Sequence, residues 1–185
     1  SDLPRRRDGT ADHRRRGALG GECELAISGG GALNTRLAHF FRGIGVPVYE
    51  GYGMTETSPI TVGNPVGPTR RPGSVGVPFP STEVRVVDPE DPSTDRPTGE
   101  PGELLVRGPQ VFVGYWNRPE ETERVLLGDG WLRTGDVATI DAAGFVTIVD
   151  RLKDLIITGG FNVHPSEVED VLRTHSSVED VAVVG

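Results

Sequence analysis

Tyr52, Thr55 and Glu56 bring an aromatic ring, a hydroxyl and a carboxylate within five residues of the sequence. Gly51 and Gly53 flank the tyrosine, and glycine lets a backbone approach a ligand closely. A partly buried carboxylate without a partner is costly, so a cation is the natural companion of Glu56. The cluster therefore predicts a ligand site with a metal ion. The plain alternative is a set of ordinary loop residues.

The histidines and the cysteine predict no further metal site. His13, His39, His164 and His175 show no metal-ligand spacing, and Cys23 is the only cysteine. A single cysteine cannot form a disulfide or a CxxC pair within this chain. We expect structural or solvent-facing roles for the histidines and a reducing, cytoplasmic location.

A predicted strand, helix and strand must position the Tyr52 cluster. Strands are predicted over Cys23–Ser28 and Val46–Glu50. Between them, apolar residues at i, i+3, i+4 and i+7 over Leu37–Ile44 predict a helix. This order predicts an α/β unit whose ligand residues follow the second strand.

Short strands separated by glycine and proline turns follow from about residue 73. The predicted strands are Glu83–Val87, Glu103–Val106, Val111–Tyr115, Val137–Ile140 and Phe145–Val149. Asp141–Gly144 predicts a hairpin turn with glycine at positive φ, and Pro119 predicts the start of a helix among the strands. Such regular spacing predicts a small barrel or sandwich.

The last part of the chain predicts a third pattern. Lys153–Gly160 is an apolar strand that ends in a glycine pair, Pro165 begins a helix, and Val178–Val184 is predicted to resume a strand. A strand, helix and strand alone cannot bury their own faces. We therefore expect residues after about 152 to begin a second domain.

Four segments resemble, in the same order, the motifs of the adenylate-forming superfamily. They are Tyr52–Glu56, Trp131–Asp136, Asp150–Asp154 and Gly159–Glu169. The resemblance runs from about residue 22 to residue 185 and is strongest to bacterial acyl-CoA synthetases of the long-chain fatty-acid type. Such enzymes use ATP and Mg²⁺ to activate a carboxylate as an acyl-adenylate, release pyrophosphate, and transfer the acyl group to the thiol of coenzyme A.

The resemblance implies a role for the polar residues of the first two motifs. Tyr52 would stack on adenine, and Gly53 would let the nucleotide approach. Thr55 would donate a hydrogen bond to a phosphate oxygen and Glu56 would hold Mg²⁺, so both would take part in catalysis. Asp136 would accept hydrogen bonds from the paired ribose hydroxyls. Without the resemblance, Asp136 could equally be an aspartate that stabilises a turn or caps a helix.

The resemblance also implies roles for the later motifs. Arg151 would contact the ribose, and Lys153 would be the hinge about which a small domain swings between two reaction poses. Gly159, Gly160 and Phe161 would form part of the channel for the pantetheine arm of coenzyme A. The plain alternatives are a surface ion pair for the arginine, an exposed lysine, and a tight turn at the glycines.

Gly30, Gly31 and Ala32 align with a family loop whose backbone borders adenine. The family loop usually has Ala-Pro near its end, whereas this chain has Gly31-Ala32 there. The missing proline loosens the loop, while the small residues still permit close approach of ATP. On its own, the glycine run predicts only a flexible turn.

The fold class implied by the resemblance is α/β plus β-barrel. We expect an arginine-rich linker over 1–21, the C-terminal part of the large AMP-binding domain over 22–152, and the start of the small α+β lid domain over 153–185. Within the large domain, 22–72 would be the α/β unit and 73–152 the barrel-like part. Nothing here matches the family's phosphate loop or its second lysine, because Lys153 is the only lysine. We therefore expect an internal fragment that does not make acyl-CoA alone.

Composition and charge exclude other classes. The net charge of the chain is −8. Because residues 1–16 carry a net positive charge from their arginines, the rest of the chain is more acidic than this total. An acidic body lacks the basic face that nucleic-acid binding needs. No apolar run approaches the roughly 18 residues that span a bilayer. The arginine-rich lead predicts a solvated linker and leaves a peripheral contact with anionic membrane lipids open.

Two other functions remain open on the sequence alone. One is a ligase for another carboxylate, such as an aromatic or short-chain acid, because the family's substrate pockets draw on residues upstream of Ser28. The other is a non-catalytic β-rich binding module with an arginine-rich arm. The leading prediction is an ATP-dependent fatty acid–CoA ligase, and the sequence predicts no oligomeric state.

Overall fold

The computed structural model describes residues 17, 20–31, 33, 35–158 and 161–185, with the backbone alone at Thr35, Ile157, Phe161 and Asn162. The arginines of the lead (residues 5–16), Ala32, Gly159 and Gly160 lie outside the described residues, so what the sequence predicts for them stays a prediction. None of the helices in the described part combines the length and apolarity that crossing a membrane requires.

The first sheet contains the predicted α/β unit. Its strands, in order, are β1 (Ala26–Ser28), β2 (Val48–Tyr52), β3 (Val62–Gly63) and β4 (Val77–Pro78). β1 and β2 are parallel, so the chain needs a crossover between them, and α1 (Thr35–Gly43) provides it. The helix is followed by Gly45, whose φ of +83° suits glycine. The predicted strand, helix and strand are thereby confirmed.

The second sheet is antiparallel. Its strands, in order, are β5 (Glu83–Val87), β6 (Gly102–Arg107), β7 (Leu132–Ile140) and β8 (Val146–Arg151). β5 is confirmed at both ends, whereas β7 begins earlier than predicted because Leu132 and Arg133 also pair with β6. The hairpin turn is confirmed, since Asp141 Oδ1 accepts the Ala143 N–H at 2.8 Å and Gly144 has φ of +82°.

The predicted barrel over 73–152 is wrong. Within the described residues, β5 to β8 form an open sheet with β5 and β8 at its edges. The outer side of β8 pairs with the segment before β4: the Val146 N–H donates to Gly76 O at 2.8 Å, and the Val75 N–H donates to Val146 O at 2.9 Å. These bonds join the two sheets and occupy the edge that β5 would need for closure.

An apolar cluster lies between the two sheets. Its buried members are Val62, Val86, Leu104, Val106, Ala138 and Val146. Leu105 belongs to a second cluster, with Val87 and Trp131, because successive side chains of β6 point to opposite faces. β6 is therefore buried on both faces. In α1, by contrast, Leu37 and Phe40 are 49% and 46% exposed, so its predicted apolar face is only partly buried in the described structure.

The predicted strand over Val111–Tyr115 is wrong. Gly114 has φ of +141°, and the Tyr115 N–H donates to Thr122 Oγ1 at 2.9 Å, so the segment forms a loop. The run of β-branched and aromatic residues is typical of a strand, but a strand requires a neighbour, and the described residues provide none for this segment. The predicted helix that follows is confirmed as α2 (Pro119–Val125), with its proline in the first turn.

The chain after β8 begins with a single 3₁₀ turn, Leu152–Asp154. β9 (Ile156–Thr158) and β10 (Phe161–Val163) then form an antiparallel pair. The strand predicted over Lys153–Gly160 is therefore wrong in its first residues, because Lys153 and Asp154 belong to the 3₁₀ turn and β9 begins only at Ile156.

α3 (Pro165–Arg173) confirms the helix predicted at Pro165. Its Ser166 hydroxyl donates to Val149 O of β8 at 2.9 Å, so the start of α3 packs on the second sheet. The strand predicted over Val178–Val184 is wrong, because the segment is irregular and pairs with no strand of the described structure. The domain boundary near residue 152 stays a prediction.

Candidate functional site

A cleft of about 1010 Å³ lies where the two sheets meet. Its walls come from the glycine run after β1, the end of β2, the segment before β4, strands β7 and β8, and the 3₁₀ turn after β8. The residues that line it are Gly30, Gly31, Glu50, Gly51, Tyr52, Gly53, Met54, Gly73, Val75, Thr134, Gly135, Asp136, Ile148, Val149, Asp150, Arg151, Leu152, Lys153 and Asp154.

Three predicted nucleotide-binding residues meet in this cleft. The Tyr52 hydroxyl donates to Asp136 Oδ2 at 2.6 Å, although the two residues are far apart in the chain. Arg151 Nε lies 3.6 Å from Asp136 Oδ1, because the pairing of β7 with β8 places these residues opposite each other. The Asp136 side chain is 17% exposed and that of Arg151 is 62% exposed. The carboxylate is thus held inside the cleft and the guanidinium lies at its rim.

The Tyr52 phenol acts as a neutral donor. Burial, and after it the negative charge of Asp136, raises the pKa of Tyr52 well above its ordinary value. The hydroxyl therefore keeps its proton and can orient the carboxylate through the hydrogen bond. The sequence did not predict this contact, because it joins β2 of one sheet to β7 of the other.

Asp136 is presented to the cleft by a bulge in β7. Between the pairs Glu103–Val137 and Leu105–Arg133, β7 has more residues than β6. The extra length is accommodated at Gly135, whose φ is +70°. A bulge of this kind redirects side chains locally, which is why a residue in the middle of a strand can face a ligand.

Thr55 and Glu56 lie beside the cleft rather than in its described lining. They form a short 3₁₀ turn after Met54, which does line the cleft, and Thr55 is exposed. Glu56 Oε1 accepts the Tyr115 hydroxyl at 2.8 Å. Burial, followed by the hydrogen bond and charge of Glu56, raises the pKa of Tyr115 to about 12, so this phenol too remains a donor.

Glu56 belongs to no preformed metal cage. The described residues contain no group of three or more His, Cys, Asp or Glu side chains arranged to hold a metal ion. A lone half-buried carboxylate fits Mg²⁺, which commonly takes one or two protein carboxylates and completes its octahedron with substrate phosphates and water.

Three glycines and Lys153 from the predicted site line the cleft. Gly30 and Gly31 border the cleft, and Gly30 has φ of +81°. Only glycine fits at position 53, because a Cβ there would lie 1.8 Å from Pro59 O. Lys153 is exposed on the 3₁₀ turn and contributes to the lining. Its role as a hinge stays a prediction, as does the coenzyme A channel at Phe161.

Two buried glutamates, Glu50 and Glu103, were not predicted from the sequence. Glu50 lines the cleft, is 8% exposed, and accepts the Gly73 N–H at 3.1 Å. Glu103 is 2% exposed on β6, next to the Asp136 bulge. Each is a charged residue at the end of a predicted, otherwise apolar strand, and this charge next to apolar residues was the available signal.

Comparisons with known proteins show which family this chain resembles. A family model described as AMP-binding enzyme matches residues 4–116. A long-chain-fatty-acid–CoA ligase from Yersinia pestis is 49% identical over 162 residues, which are 87% of this chain and 28% of that protein.

Solved structures match the described fold as well. ATP-bound MatB from Rhodopseudomonas palustris has a TM-score of 0.82 and 42% identity, over 87% of this chain and 32% of that chain. The O-succinylbenzoate coenzyme A synthetase MenE from Bacillus subtilis, solved with ATP and a magnesium ion, has a TM-score of 0.76 and 36% identity. That match covers 91% of this chain and 36% of the MenE chain.

Proposed function

The chain belongs to the family of AMP-binding enzymes, and on that premise we propose that it forms the nucleotide-binding part of an ATP-dependent ligase that joins a fatty acid to coenzyme A. The observation that supports the proposal best is the convergence of Tyr52, Asp136 and Arg151 in one cleft. These residues come from three strands and two sheets, and a carboxylate held by a phenol and a guanidinium suits a ligand with paired hydroxyls.

Asp136 would hold the ribose. A carboxylate offers about four lone-pair sites, so acceptor capacity remains after the contacts with Tyr52 and Arg151. Both ribose hydroxyls would donate to it, and each bond to a charged acceptor contributes roughly 1.5–3 kcal/mol. Tyr52 would place its ring against adenine while its hydroxyl orients Asp136, and the small residues Gly30 and Gly31 would border the base.

Thr55 and Glu56 would serve the phosphates. Mg²⁺, when bound, neutralises negative charge on the phosphates during displacement of pyrophosphate. Glu56 would hold it through a carboxylate already oriented by the Tyr115 hydroxyl. The exposed Thr55 hydroxyl would donate to a phosphate oxygen. Lys153, at the rim just after β8, would be the hinge, and Gly159, Gly160 and Phe161 would line the route of coenzyme A.

A fatty acid is the proposed carboxylate because the Yersinia pestis relative is named for that substrate. The MenE relative is named for O-succinylbenzoate, so another carboxylic acid is the competing candidate. The chain matches only 28% of the length of the Yersinia relative, and the activity is therefore proposed for the full-length protein.

Activity of the full-length protein tests this function. ATP, Mg²⁺ and coenzyme A would be supplied with acids from two to eighteen carbons and with aromatic acids, and pyrophosphate and acyl-CoA would be quantified. We expect acid-dependent pyrophosphate release that is highest with long chains. Glu56→Gln should lower it about 100-fold, because metal ions contribute several kcal/mol to such steps.

Glu121→Gln is the matched control, since Glu121 is a half-buried glutamate on α2, as Glu56 is in its turn, and pairs with Arg118 outside the cleft lining. Its activity should equal that of the unaltered protein. Highest activity with an aromatic or short-chain acid would transfer the proposal to that substrate class. No pyrophosphate release with any acid would contradict the ligase function.

A further inference from the structure

Glu103 is a buried carboxylate that the proposed chemistry does not use. It is 2% exposed on β6 and, among the described residues, is not part of the cleft lining. A buried carboxylate is stable only with charged or hydrogen-bonding partners. Arg133 supplies them: its Nε and Nη2 donate to Glu103 Oε2 at 3.0 and 2.6 Å.

The second carboxylate oxygen of Glu103 is bound to the bulge itself. Glu103 Oε1 accepts the Gly135 N–H at 3.3 Å. The single carboxylate therefore contacts β7 both at Arg133, where the bulge begins, and at Gly135, in its middle. Arg133 is fixed in turn, because its Nη2 also donates to Pro89 O at 2.9 Å.

Thr134 completes the attachment of the bulge to β6. Its hydroxyl donates to Leu104 O at 2.7 Å, and Thr134 Oγ1 accepts the Asp136 N–H at 3.1 Å. The residues from 133 to 136 are thus each tied, directly or through Thr134, to Glu103 or Leu104. Nothing in this network touches the cleft except through Thr134, Gly135 and Asp136.

We propose that Glu103 and Arg133 are positioning residues that fix the β7 bulge so that the Asp136 carboxylate is aimed at the ribose hydroxyls. This role rests on the function proposed above. A purely structural pair would affect stability alone, whereas a positioning pair affects how strongly the protein distinguishes a nucleotide with both ribose hydroxyls from one with a single hydroxyl.

The test compares the dissociation constants of ATP and 2′-deoxyATP in the full-length protein by calorimetry. The unaltered protein should bind 2′-deoxyATP about tenfold more weakly, because one bond to a charged acceptor is lost. Glu103→Gln keeps the shape of the side chain but removes its charge. We expect this variant to reduce the ratio to about threefold or less, as Asp136→Asn should.

Glu83→Gln is the matched control. Arg107 Nε and Nη2 donate to Glu83 Oε1 and Oε2 at 3.1 and 2.7 Å, so this glutamate also takes two bonds from one arginine on a neighbouring strand, but it is exposed and makes no contact with the bulge. It should keep the ratio of the unaltered protein. Arg133→Lys, which keeps the charge and loses the planar fork, should reduce the ratio and serves where Glu103→Gln does not fold.

The experiment distinguishes failure of the positioning role from failure of the proposed ribose contact. If Asp136→Asn loses the discrimination while Glu103→Gln and Arg133→Lys keep it, the positioning role is overturned and the proposed ribose contact stands. If the unaltered protein does not distinguish the two nucleotides, or Asp136→Asn keeps the ratio, the ribose contact and the positioning role are overturned together.

Discussion

Asp136→Asn is expected to weaken ATP binding by the full-length protein about 10- to 100-fold, since bonds to a charged acceptor contribute roughly 1.5–3 kcal/mol. Asparagine keeps a carbonyl oxygen for the Tyr52 hydroxyl, so the partly buried phenol is not left without an acceptor. The other acceptor becomes an amide donor facing Arg151, and the charge is lost. Isothermal titration calorimetry with ATP measures the effect directly.

Asp129→Asn makes the same chemical change at an exposed position in the turn before β7. Its dissociation constant for ATP should match that of the unaltered protein. Equal ATP affinity in Asp136→Asn and Asp129→Asn would mean that the carboxylate at the bulge does not contact the nucleotide.

Gly53→Ala is expected to prevent folding, or to lower the free energy of unfolding by about 3 kcal/mol or more, because overpacking against rigid groups is strongly destabilising. A Cβ at this position would lie 1.8 Å from Pro59 O and 2.6 Å from Ile60 Cα. Both are backbone atoms, so no side chain can turn away to make room. Denaturant unfolding followed by circular dichroism would measure the loss.

Gly128→Ala is the control for this substitution. A Cβ at Gly128 has no heavy atom within 4 Å, and its φ is not positive. Its unfolding midpoint should stay close to that of the unaltered protein. A Gly53→Ala variant as stable as Gly128→Ala would contradict the close approach of the 59–60 backbone to the end of β2.

Local signals were enough to predict several elements. β5 and the turn after β7 depend on alternation and on one glycine, and α2 depends on a proline in its first turn. The segment Val111–Tyr115 is also rich in β-branched and aromatic residues but forms a loop. Strand formation depends on a partner, and the partner is distant in sequence, so the residue types of a short segment cannot separate the two cases.

The residues of the candidate site could be predicted from the sequence, but their arrangement in space could not. Tyr52, Asp136 and Arg151 were each predicted from motifs, and their convergence required the pairing of β7 with β8 and the contact between sheets. The open second sheet was not predictable, because it depends on β8 bonding to Gly76 rather than to β5. Glu103 was missed because its partners, Arg133 and Gly135, reach it only through the register of the bulge.

A structure of the full-length protein with bound ATP would show whether Asp136 holds the ribose. We predict the nucleotide in the cleft between the two sheets, with both ribose hydroxyls about 2.7 Å from the Asp136 carboxylate oxygens, the usual length for such bonds. ATP bound elsewhere, or with its ribose turned away from Asp136, would contradict it.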